Sequence, residues 1–557
     1  MKDAYAAKPW LKFYDKHVPR NLEYTSKIYP DLFREAVAAV GDRAAVLYAG
    51  KALTFAELDA MSGRLAGFLK QRGLRPGDVV GVNLPNVPAY YIAIQGILKA
   101  GCVLTGVSPL LTQRELEYQL NDSGARALVA MDLLWGNVSG ALPKTGVKTV
   151  AYVGIADFLP SDKPPAPISL PAVPGISIHS FWSIIHDLPI DTSAPPSGPD
   201  DPCLMQYTGG TTGQSKGAVL THRNMVCQLK QLNVWLDAKM GTEVTMSAFP
   251  LFHQAGLALG MSSMTDGSSQ IAVANPRDLA ALIGLIKAYR PTFMVNVPTI
   301  YIELSRQPAF RELDFSHLKY CLSGAAPFPP EYIKQFEDIV GANKVVEVLG
   351  MTETSPVLTA TPRYGKKKTG SAGIPLPDTE IKVVDPVTKE ILPQGETGEF
   401  VAKGPQVFTI GYHNKPEETA NTLRDGWIYT GDIVYMDEDG YVWMVDRLKD
   451  LVNVSGFKVF TRELDDIISS HPDVAMAATV GIPDPSRPGS EMVVTAVVLK
   501  PGVEKNDATR AGIINFVKSK EAPYKVPKRI EFMDSLPTSS VGKILKRELR
   551  EMLRPSA

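Results

Sequence analysis

Cysteine is scarce in this 557-residue sequence, which contains only four. Cys102, Cys203, Cys227 and Cys321 are far apart, and no two form a CxxC pair. The pattern therefore shows neither a disulfide framework nor the usual ligand spacing of a zinc site. We interpret the four residues as reduced thiols of a cytoplasmic protein, because disulfides are rare in that compartment.

The sequence also lacks an excess of charge of either sign. Lys and Arg number 58 against 59 Asp and Glu, which gives a formal net charge of −1. Such a chain has no overall field that would hold a polyanion, so nucleic-acid binding through bulk electrostatics is disfavoured. Hydrophobic residues make up 45% and charged residues 21% of the chain, as in ordinary globular proteins, which argues against disorder.

No segment has the pattern of a signal peptide or a membrane span. The N-terminus has no apolar stretch of the kind a signal peptide needs. The most apolar long segment, residues 246–264, is interrupted by Pro250, His253 and Gln254. We therefore expect this segment in the protein core and not in a bilayer. Peripheral contact with a membrane remains compatible with the sequence.

Helices and short apolar strands alternate in the first part of the chain. Thr54 and Glu57 have the spacing of a capping box, and apolar residues then recur at helical spacing as far as Gly73. Residues 79–82 are typical of a buried strand, and residues 89–100 of a second helix. This alternation predicts an α/β fold whose parallel sheets are covered by helices.

Later segments differ in composition and divide the chain. Residues 159–202 are rich in Pro and Ser and predict a long surface connection. From about Gly370, short β-like runs separated by Gly and Asp predict a β-rich subdomain. After Lys449, helices and strands alternate over about 110 residues, the size of a small α+β domain. We predict a large N-terminal domain, residues 1–448, and a small C-terminal domain, residues 449–557.

The segment from Tyr207 to Gly217 carries the strongest chemical pattern. Its eleven residues include four glycines, four Ser or Thr residues and Lys216. Glycines let backbone N–H groups face an anion, hydroxyls add donors and lysine adds a charge, so the segment predicts a polyphosphate-binding loop. It is not a Walker A loop, because Gly217 follows the lysine where that motif has Ser or Thr. The candidate binding residues are Thr208, Gly209, Gly210, Thr211, Thr212, Gly213 and Lys216.

This loop resembles the phosphate loop of the acyl-adenylate-forming superfamily, which includes acyl-CoA synthetases, luciferases and the adenylation domains of peptide synthetases. Its Tyr-Thr-Gly-Gly-Thr-Thr-Gly form is most similar to bacterial long-chain fatty acid–CoA ligases. The resemblance extends from about Leu53 to Arg547, through several segments in the expected order. It implies an ATP-dependent enzyme in which a small, mobile C-terminal domain rotates against the large domain.

Further segments resemble nucleotide-binding motifs of the same superfamily. Residues 323–327 resemble the loop that stacks on adenine, and residues 350–353 resemble the segment that contacts the α-phosphate and magnesium. Leu349 stands where most members have Tyr, so aromatic stacking on adenine should be weaker. The resemblance implies adenine contacts by Gly324, Ala325, Ala326, Leu349 and Gly350, an α-phosphate contact by Thr352, and Mg²⁺ ligation by Glu353 with Thr208.

Segments nearer the C-terminus resemble those that bind ribose, form the hinge and admit CoA. The resemblance implies that Asp432 accepts hydrogen bonds from both ribose hydroxyls, as an ionised carboxylate does well. Arg447 would bind ribose or phosphate, and Lys449 would be the pivot between the domains. Gly456 would let the pantetheine chain of CoA pass, while Lys543 would reach the substrate carboxylate and the α-phosphate.

Residues 250–256 resemble the acyl-site segment, which implies that His253 borders the carboxylate pocket. The activity implied is an acyl-CoA synthetase that activates a medium- to long-chain fatty acid through acyl-AMP and transfers the acyl group to CoA. ATP and Mg²⁺ would be required, AMP and pyrophosphate would be released, and a homodimer would be in keeping with the superfamily.

Two alternatives remain open at this point. The acid activated could be aromatic or of another class, or the acyl-AMP could pass to oxygen or to a carrier protein instead of CoA. A non-catalytic nucleotide sensor is disfavoured, because Lys543, Glu353 and Asp432 are all present.

Overall fold

The computed structural model describes residues 3–161, 163–166, 168–208, 214–454, 457–487, 489–539 and 543–554. Helices and strands alternate along most of it. Up to residue 221 they are α1 (Asp3–Ala6), α2 (Tyr29–Val40), β1 (Ala44–Tyr48), β2 (Lys51–Thr54), α3 (Phe55–Gln71), β3 (Val79–Asn83), α4 (Pro88–Lys99), β4 (Val103–Gly106), α5 (Gln113–Asp122), β5 (Ala127–Met131), α6 (Trp135–Ala141), β6 (Thr149–Val153), β7 (Ser177–Ser180), α7 (Phe181–Asp187), β8 (Pro202–Thr208) and β9 (Lys216–Thr221).

The next part of the chain continues this alternation and ends in two antiparallel strands. Its elements are α8 (His222–Trp235), β10 (Val244–Ser247), α9 (Gln254–Thr265), β11 (Ser269–Ile271), α10 (Leu279–Tyr289), β12 (Phe293–Asn296), α11 (Pro298–Arg306), α12 (Pro308–Arg311), β13 (Tyr320–Ser323), α13 (Pro330–Val340), β14 (Val345–Gly350), β15 (Val357–Ala360) and β16 (Ile374–Pro375).

The remaining elements form the β-rich part and the C-terminal part. The β-rich part contains β17 (Glu380–Val384), β18 (Gly398–Lys403), β19 (Gly411–Tyr412), α14 (Pro416–Thr422), β20 (Leu423–Arg424), β21 (Trp427–Met436) and β22 (Val442–Arg447). The C-terminal part contains β23 (Val452–Val454), β24 (Phe457–Val459), α15 (Thr461–Ser469), β25 (Val474–Pro483), β26 (Glu491–Leu499), α16 (Asp507–Lys518), β27 (Arg529–Phe532) and α17 (Lys546–Met552).

Two large sheets, parallel at their centres, form the body of the large domain. Among the described residues, one has the strand order β19-β9-β8-β4-β3-β5-β6-β7 and the other β16-β15-β14-β13-β12-β10-β11-β1-β2. Neighbours from β4 to β7 in the first and from β14 to β1 in the second are parallel. The largest buried cluster combines residues of both sheets with residues of α4, α8 and α9, so these helices lie in the core. The predicted helix-covered α/β fold is confirmed.

The later units also match the predicted architecture. Within the described ranges, β17, β18, β20, β21 and β22 form an antiparallel sheet, and β25, β26 and β27 form a separate three-stranded sheet. The helices and strands after residue 450 have a hydrophobic cluster of their own, in which Val452, Leu464 and Val497 are fully buried. The large α/β domain is thus followed by a C-terminal α+β domain, while its pivot and its mobility remain predictions.

The capping box at the start of α3 forms as the sequence predicts. The Glu57 backbone N–H donates to Thr54 Oγ1 over 3.1 Å, and Glu57 Oε2 accepts from the Thr54 N–H over 2.8 Å. Leu58, Leu65 and Leu69 are buried on the inner face of the helix. The cap therefore fixes where a core-facing helix begins.

The most apolar segment and the Pro- and Ser-rich connection both contain regular helices and strands. The apolar segment 246–264 forms the end of β10 and most of α9, which is buried along nearly its whole length. No helix in the described part of the chain has the length and apolar character needed to cross a bilayer. The connection 159–202 is not wholly irregular, because β7 pairs with β6 and α7 follows it.

The cap on α3 gives a first prediction. Thr54→Ala removes the hydroxyl that accepts the Glu57 N–H and should lower the free energy of unfolding of the large domain by about 1 kcal/mol. Thr54→Ser, which keeps the hydroxyl, should retain most of that stability. Urea unfolding followed by tryptophan fluorescence measures both, and equal stability of the alanine and serine variants would contradict the assigned role.

Candidate active site

A cleft of about 1800 Å³ opens between the large domain and the C-terminal part of the chain. Residues of β8, β9, β14, β21 and β22 line it on the large-domain side. The C-terminal side contributes residues 538–539 and 543–548, including the start of α17. The cleft is therefore completed only when the two domains lie together.

The structure brings most of the sequence-predicted site residues to this cleft. Those that line it are Thr208, Lys216, His253, Gly324, Ala325, Gly350, Thr352, Glu353, Asp432, Arg447, Lys449 and Lys543. Ala326 and Leu349 are not among the lining residues; Leu349 instead packs against the main core. Residues Gly209–Gly213 and Gly456, which the sequence also singles out, lie outside the described residues. The chemical roles of the whole set remain predictions.

The two ends of the predicted phosphate loop are held together by an antiparallel strand pair. Thr208 at the end of β8 lies directly opposite Lys216 at the start of β9. The Lys216 ammonium forms an ion pair with Glu418 of α14 and lies 5.2 Å from the centre of the Tyr412 ring. The cation is thus fixed at the base of the loop, facing the cleft.

Glu353 is a buried carboxylate in a short 3₁₀ helix, Thr352–Thr354, that follows β14. Tyr412 donates its hydroxyl hydrogen to Glu353 Oε1, and the Phe408 N–H donates to the Glu353 carbonyl oxygen over 2.8 Å. Burial raises the pKa of the carboxyl group, and the Tyr412 hydrogen bond opposes this shift. A cation bound next to Glu353 would stabilise the ionised form of its buried carboxyl group.

The donor set around Glu353 fits a magnesium ion that is shared with a nucleotide. Mg²⁺ usually keeps several waters and binds through one or two carboxylates plus substrate phosphates. Among the described residues, no cluster of three or more His, Cys, Asp or Glu forms a full protein cage for a metal. Glu353, with the Thr208 hydroxyl on the same cleft, would supply a single-carboxylate site of the shared type.

Asp432 and Arg447 face each other across strands β21 and β22. They are paired in register, and Arg447 Nε lies 3.1 Å from Asp432 Oδ1. Asp432 is only 3% exposed, yet it borders the cleft. The arginine therefore holds a buried carboxylate at the cleft wall, where it can accept hydrogen bonds from a sugar.

The residue before Arg447 connects the two domains. Asp446 is buried and its carboxylate accepts the backbone N–H groups of Thr461 and Arg462 at the start of α15. The Arg462 guanidinium in turn donates to the Met444 carbonyl oxygen over 2.8 Å. A carboxylate of the large domain thus caps a helix of the small domain, where it is favoured by the helix dipole.

Lys543 of the C-terminal domain lines the cleft and is hydrogen-bonded to Ser539. Its backbone N–H donates to Ser539 Oγ over 3.1 Å, and its carbonyl accepts from the Ser539 N–H over 2.7 Å. Burial, followed by the charge of the nearby Arg447, lowers the pKa of the Lys543 ammonium to about 7, and Asp432 opposes this shift. An anion bound in the cleft would therefore stabilise the charged form of Lys543.

His253 occupies the N-cap position of α9. Its Nδ1 accepts the Ala255 N–H over 3.3 Å, so the proton of the neutral ring lies on Nε2. Burial, together with a smaller effect of the charge of Lys543, lowers the pKa of the imidazole to about 4. The ring is thus a neutral hydrogen-bond donor at pH 7 on the wall of the cleft.

Sequence reasoning missed Tyr412, Glu418 and most of the apolar wall. Tyr412 and Glu418 reach the site through the pairing of β19 with β9, and no local pattern announces that pairing. The spacing of apolar residues after His253 could have indicated part of the wall. Its members are Phe249, Phe252, Ala255, Ala258, Leu259, Leu322, Val348, Met351 and Val357.

Two family models match the chain. Residues 33–413 match the AMP-binding enzyme family, and residues 463–543 match the AMP-binding enzyme C-terminal domain. The sequence is 36% identical to a long-chain-fatty-acid–CoA ligase of Bacillus subtilis over 554 residues, which cover 98% of each chain. It is 35% identical to a feruloyl-CoA synthase of an Amycolatopsis species over 508 residues, or 91% of this chain and 95% of that one.

The fold is also similar to that of a solved structure. The crystal structure of ATP-bound MatB from Rhodopseudomonas palustris superimposes with a TM-score of 0.83 at 29% identity, covering 94% of this chain and 98% of that one. Sequence families, full-length relatives and fold agree with the arrangement of the cleft. The chain therefore belongs to the AMP-binding enzyme family, the acyl-adenylate-forming superfamily, and is an AMP-forming acyl-CoA ligase within it.

Proposed function

We propose that this protein activates a medium- to long-chain fatty acid with ATP, forms an acyl-AMP, and transfers the acyl group to CoA with release of AMP and pyrophosphate. The proposed substrate class rests on the apolar wall of the cleft, which begins beside His253 and continues along α9. Burying methylene groups against such a wall stabilises a bound chain by about 0.8 kcal/mol each. The name of the Bacillus subtilis relative supports the same class.

The first half-reaction makes the carboxylate electrophilic. A carboxylate oxygen attacks the α-phosphorus of ATP, the bond to the bridging oxygen of pyrophosphate breaks, and acyl-AMP forms. Lys543 and Thr352 would hold the α-phosphate oxygens as negative charge spreads over them, and Lys216 would hold the leaving pyrophosphate. Mg²⁺, when bound at Glu353, would neutralise further phosphate charge. Neutral His253 would donate from Nε2 to the acyl carboxylate.

The second half-reaction transfers the acyl group to sulfur. The CoA thiol loses its proton and attacks the acyl carbon, and AMP leaves with the oxygen that bridged carbon and phosphorus. The small domain would rotate about Lys449, withdrawing Lys543 and bringing Gly456 to the path of the pantetheine chain. The protein would act in the cytoplasm, alone or as a homodimer.

A second candidate is ligation of an aromatic acid to CoA. The feruloyl-CoA synthase of Amycolatopsis is almost as similar to this chain as the fatty-acid relatives are, which favours testing that class. Transfer of the acyl group from acyl-AMP to a carrier protein would differ from both reactions, because it requires no free CoA.

A panel of acids tests the proposed substrate class. Saturated fatty acids from six to sixteen carbons, benzoate and ferulate would be compared by AMP formation with ATP and CoA. We expect kcat/KM to be at least about tenfold higher for the best fatty acid than for benzoate or ferulate, because several buried methylenes at about 0.8 kcal/mol, or about fourfold, each act together. Higher kcat/KM for ferulate or benzoate would contradict the proposal, and AMP formation without CoA-thioester would point to another acceptor.

Substitution of Lys543 tests the first half-reaction. Lys543→Ala should reduce acid-dependent ATP–pyrophosphate exchange by at least about a hundredfold, because one donor to a developing anion is worth that much. Thioester formation from supplied acyl-AMP should persist. Gly456→Trp should show the opposite pattern, with exchange retained and thioester formation lost. Exchange near the wild-type rate in Lys543→Ala would refute the role of this lysine.

The lowered pKa of Lys543 gives a pH prediction. A lysine with a pKa of about 7 in the free enzyme loses its charge as pH rises through that value. In the exchange reaction, kcat/KM for ATP should therefore fall above about pH 7. Lys543→Arg stays protonated throughout and should remain active and lack this decline between pH 6 and 9. The same decline in the arginine variant would assign the titration to another group.

A further inference from the structure

Helix α9 leads from the active-site cleft towards a second cavity in the large domain. Ala255, Ala258 and Leu259 of α9 line the cleft, while Leu259 and Ser262 line the second cavity. Residues spaced by three or four positions share one face of a helix. A single face of α9 therefore extends from the His253 end of the cleft to the second cavity.

The second cavity, which we call the inner chamber, is small and has both polar and apolar lining residues. Its volume of about 10 Å³ is sufficient for roughly one water molecule. Its polar lining residues include Asn233, Glu243, Ser262, Ser263, Asp266 and Ser268. Among the described residues, the buried Ser268 hydroxyl has no hydrogen-bond partner. The chamber thus has room for one water molecule beside the Ser268 hydroxyl, and a methyl group in that place would leave this hydroxyl without a partner.

Two leucines lie between the cleft and the inner chamber. Leu232 of α8 and Leu259 of α9 are the residues that line both spaces. Their exposures are only 2% and 7%, so both are packed in the core. On the same face of α9 as Leu259, the small side chains of Ala255 and Ala258 line the cleft. The apolar space of the cleft therefore ends at the leucine pair along this helix face.

We propose that Leu232 and Leu259 form the floor of the acyl pocket and set the longest chain that the enzyme activates efficiently. This inference rests on the proposed fatty-acid function. Leu259 is six residues beyond His253, which corresponds to about 9 Å along a helix. An extended chain with bonds of about 1.5 Å advances roughly 1.25 Å per carbon, so this distance accommodates about seven carbons.

A chain longer than this meets two obstacles. It must displace the leucine pair, and its methyl end then enters the inner chamber. There it would replace water beside the Asp266 carboxyl and the Ser268 hydroxyl, leaving polar groups without partners. The preferred substrates are therefore acids of about eight carbons, and efficiency falls for longer chains.

Variants of Leu259 test the floor directly. In the wild type, kcat/KM for saturated acids from six to sixteen carbons should be highest near eight. Leu259→Ala should raise kcat/KM for the twelve-carbon acid by at least about tenfold relative to the eight-carbon acid, because it removes part of the barrier. Leu259→Phe should shift the preference to shorter acids. Leu232→Ala opens the same floor from α8 and serves if Leu259→Ala does not fold.

Leu257→Ala is the matched control. Leu257 is fully buried on the same helix but lines neither cavity, and two positions on a helix differ by about 200°. This variant should lose stability and keep the wild-type chain-length profile.

The outcomes separate the two proposals. Three results would overturn the assignment of the leucine pair as the floor. In the first, kcat/KM of the wild type does not fall beyond eight carbons; in the second, Leu259→Ala, Leu232→Ala and Leu259→Phe leave the chain-length preference unchanged. In the third, Leu257→Ala shifts the chain-length preference as much as Leu259→Ala does. If every variant activates only aromatic acids, the fatty-acid function itself is wrong.

Discussion

A cation carried by the C-terminal domain lies buried in a cleft of the large domain, and the chemistry proposed for the site depends on this contact. Burial already destabilises the charge of Lys543, and Arg447 and Lys449 lie close enough to add repulsion. Asp432 opposes this only in part. The polyphosphate of ATP would supply the missing negative charge, so nucleotide binding and closure of the domains should stabilise each other.

Strand β22 links the two sides of that contact. Successive residues of a strand point in opposite directions. Arg447 faces the cleft and Asp432, whereas Asp446 faces the small domain and caps α15. The same short segment precedes Lys449, the predicted pivot. Rotation of the small domain would break the Asp446 cap and withdraw Lys543 together, which gives a physical reason for a switch between two arrangements instead of gradual opening.

Local patterns in the sequence predicted local structure well. The capping box of Thr54 and Glu57, the buried strand that follows and the separate C-terminal domain all form, because each depends on residues close in the chain. Most of the described residues that the motifs singled out also line the cleft. The contacts of these residues with side chains distant in the sequence could not be predicted from local patterns. Tyr412 meets Glu353 across 59 positions, a contact set by the joining of β19 to β9.

For a related reason, the sequence could not predict which residues lie between the cleft and the inner chamber. Leu232 and Leu259 belong to different helices, and each looks like an ordinary core residue. Only the packing of α8 against α9 shows that both line the cleft and the inner chamber. In the proposed function, chain-length preference would depend on helix packing, whereas the nucleotide chemistry would depend on residues of the sequence motifs.

In the proposed reaction, the carboxylate attacks the α-phosphorus of ATP. Octanoate labelled with ¹⁸O in both carboxylate oxygens would be converted to its CoA thioester, and the nucleotide and phosphate products would be examined by mass spectrometry. AMP should carry one ¹⁸O atom, and pyrophosphate should carry none. Label in pyrophosphate or orthophosphate, or AMP without label, would contradict the proposed reaction.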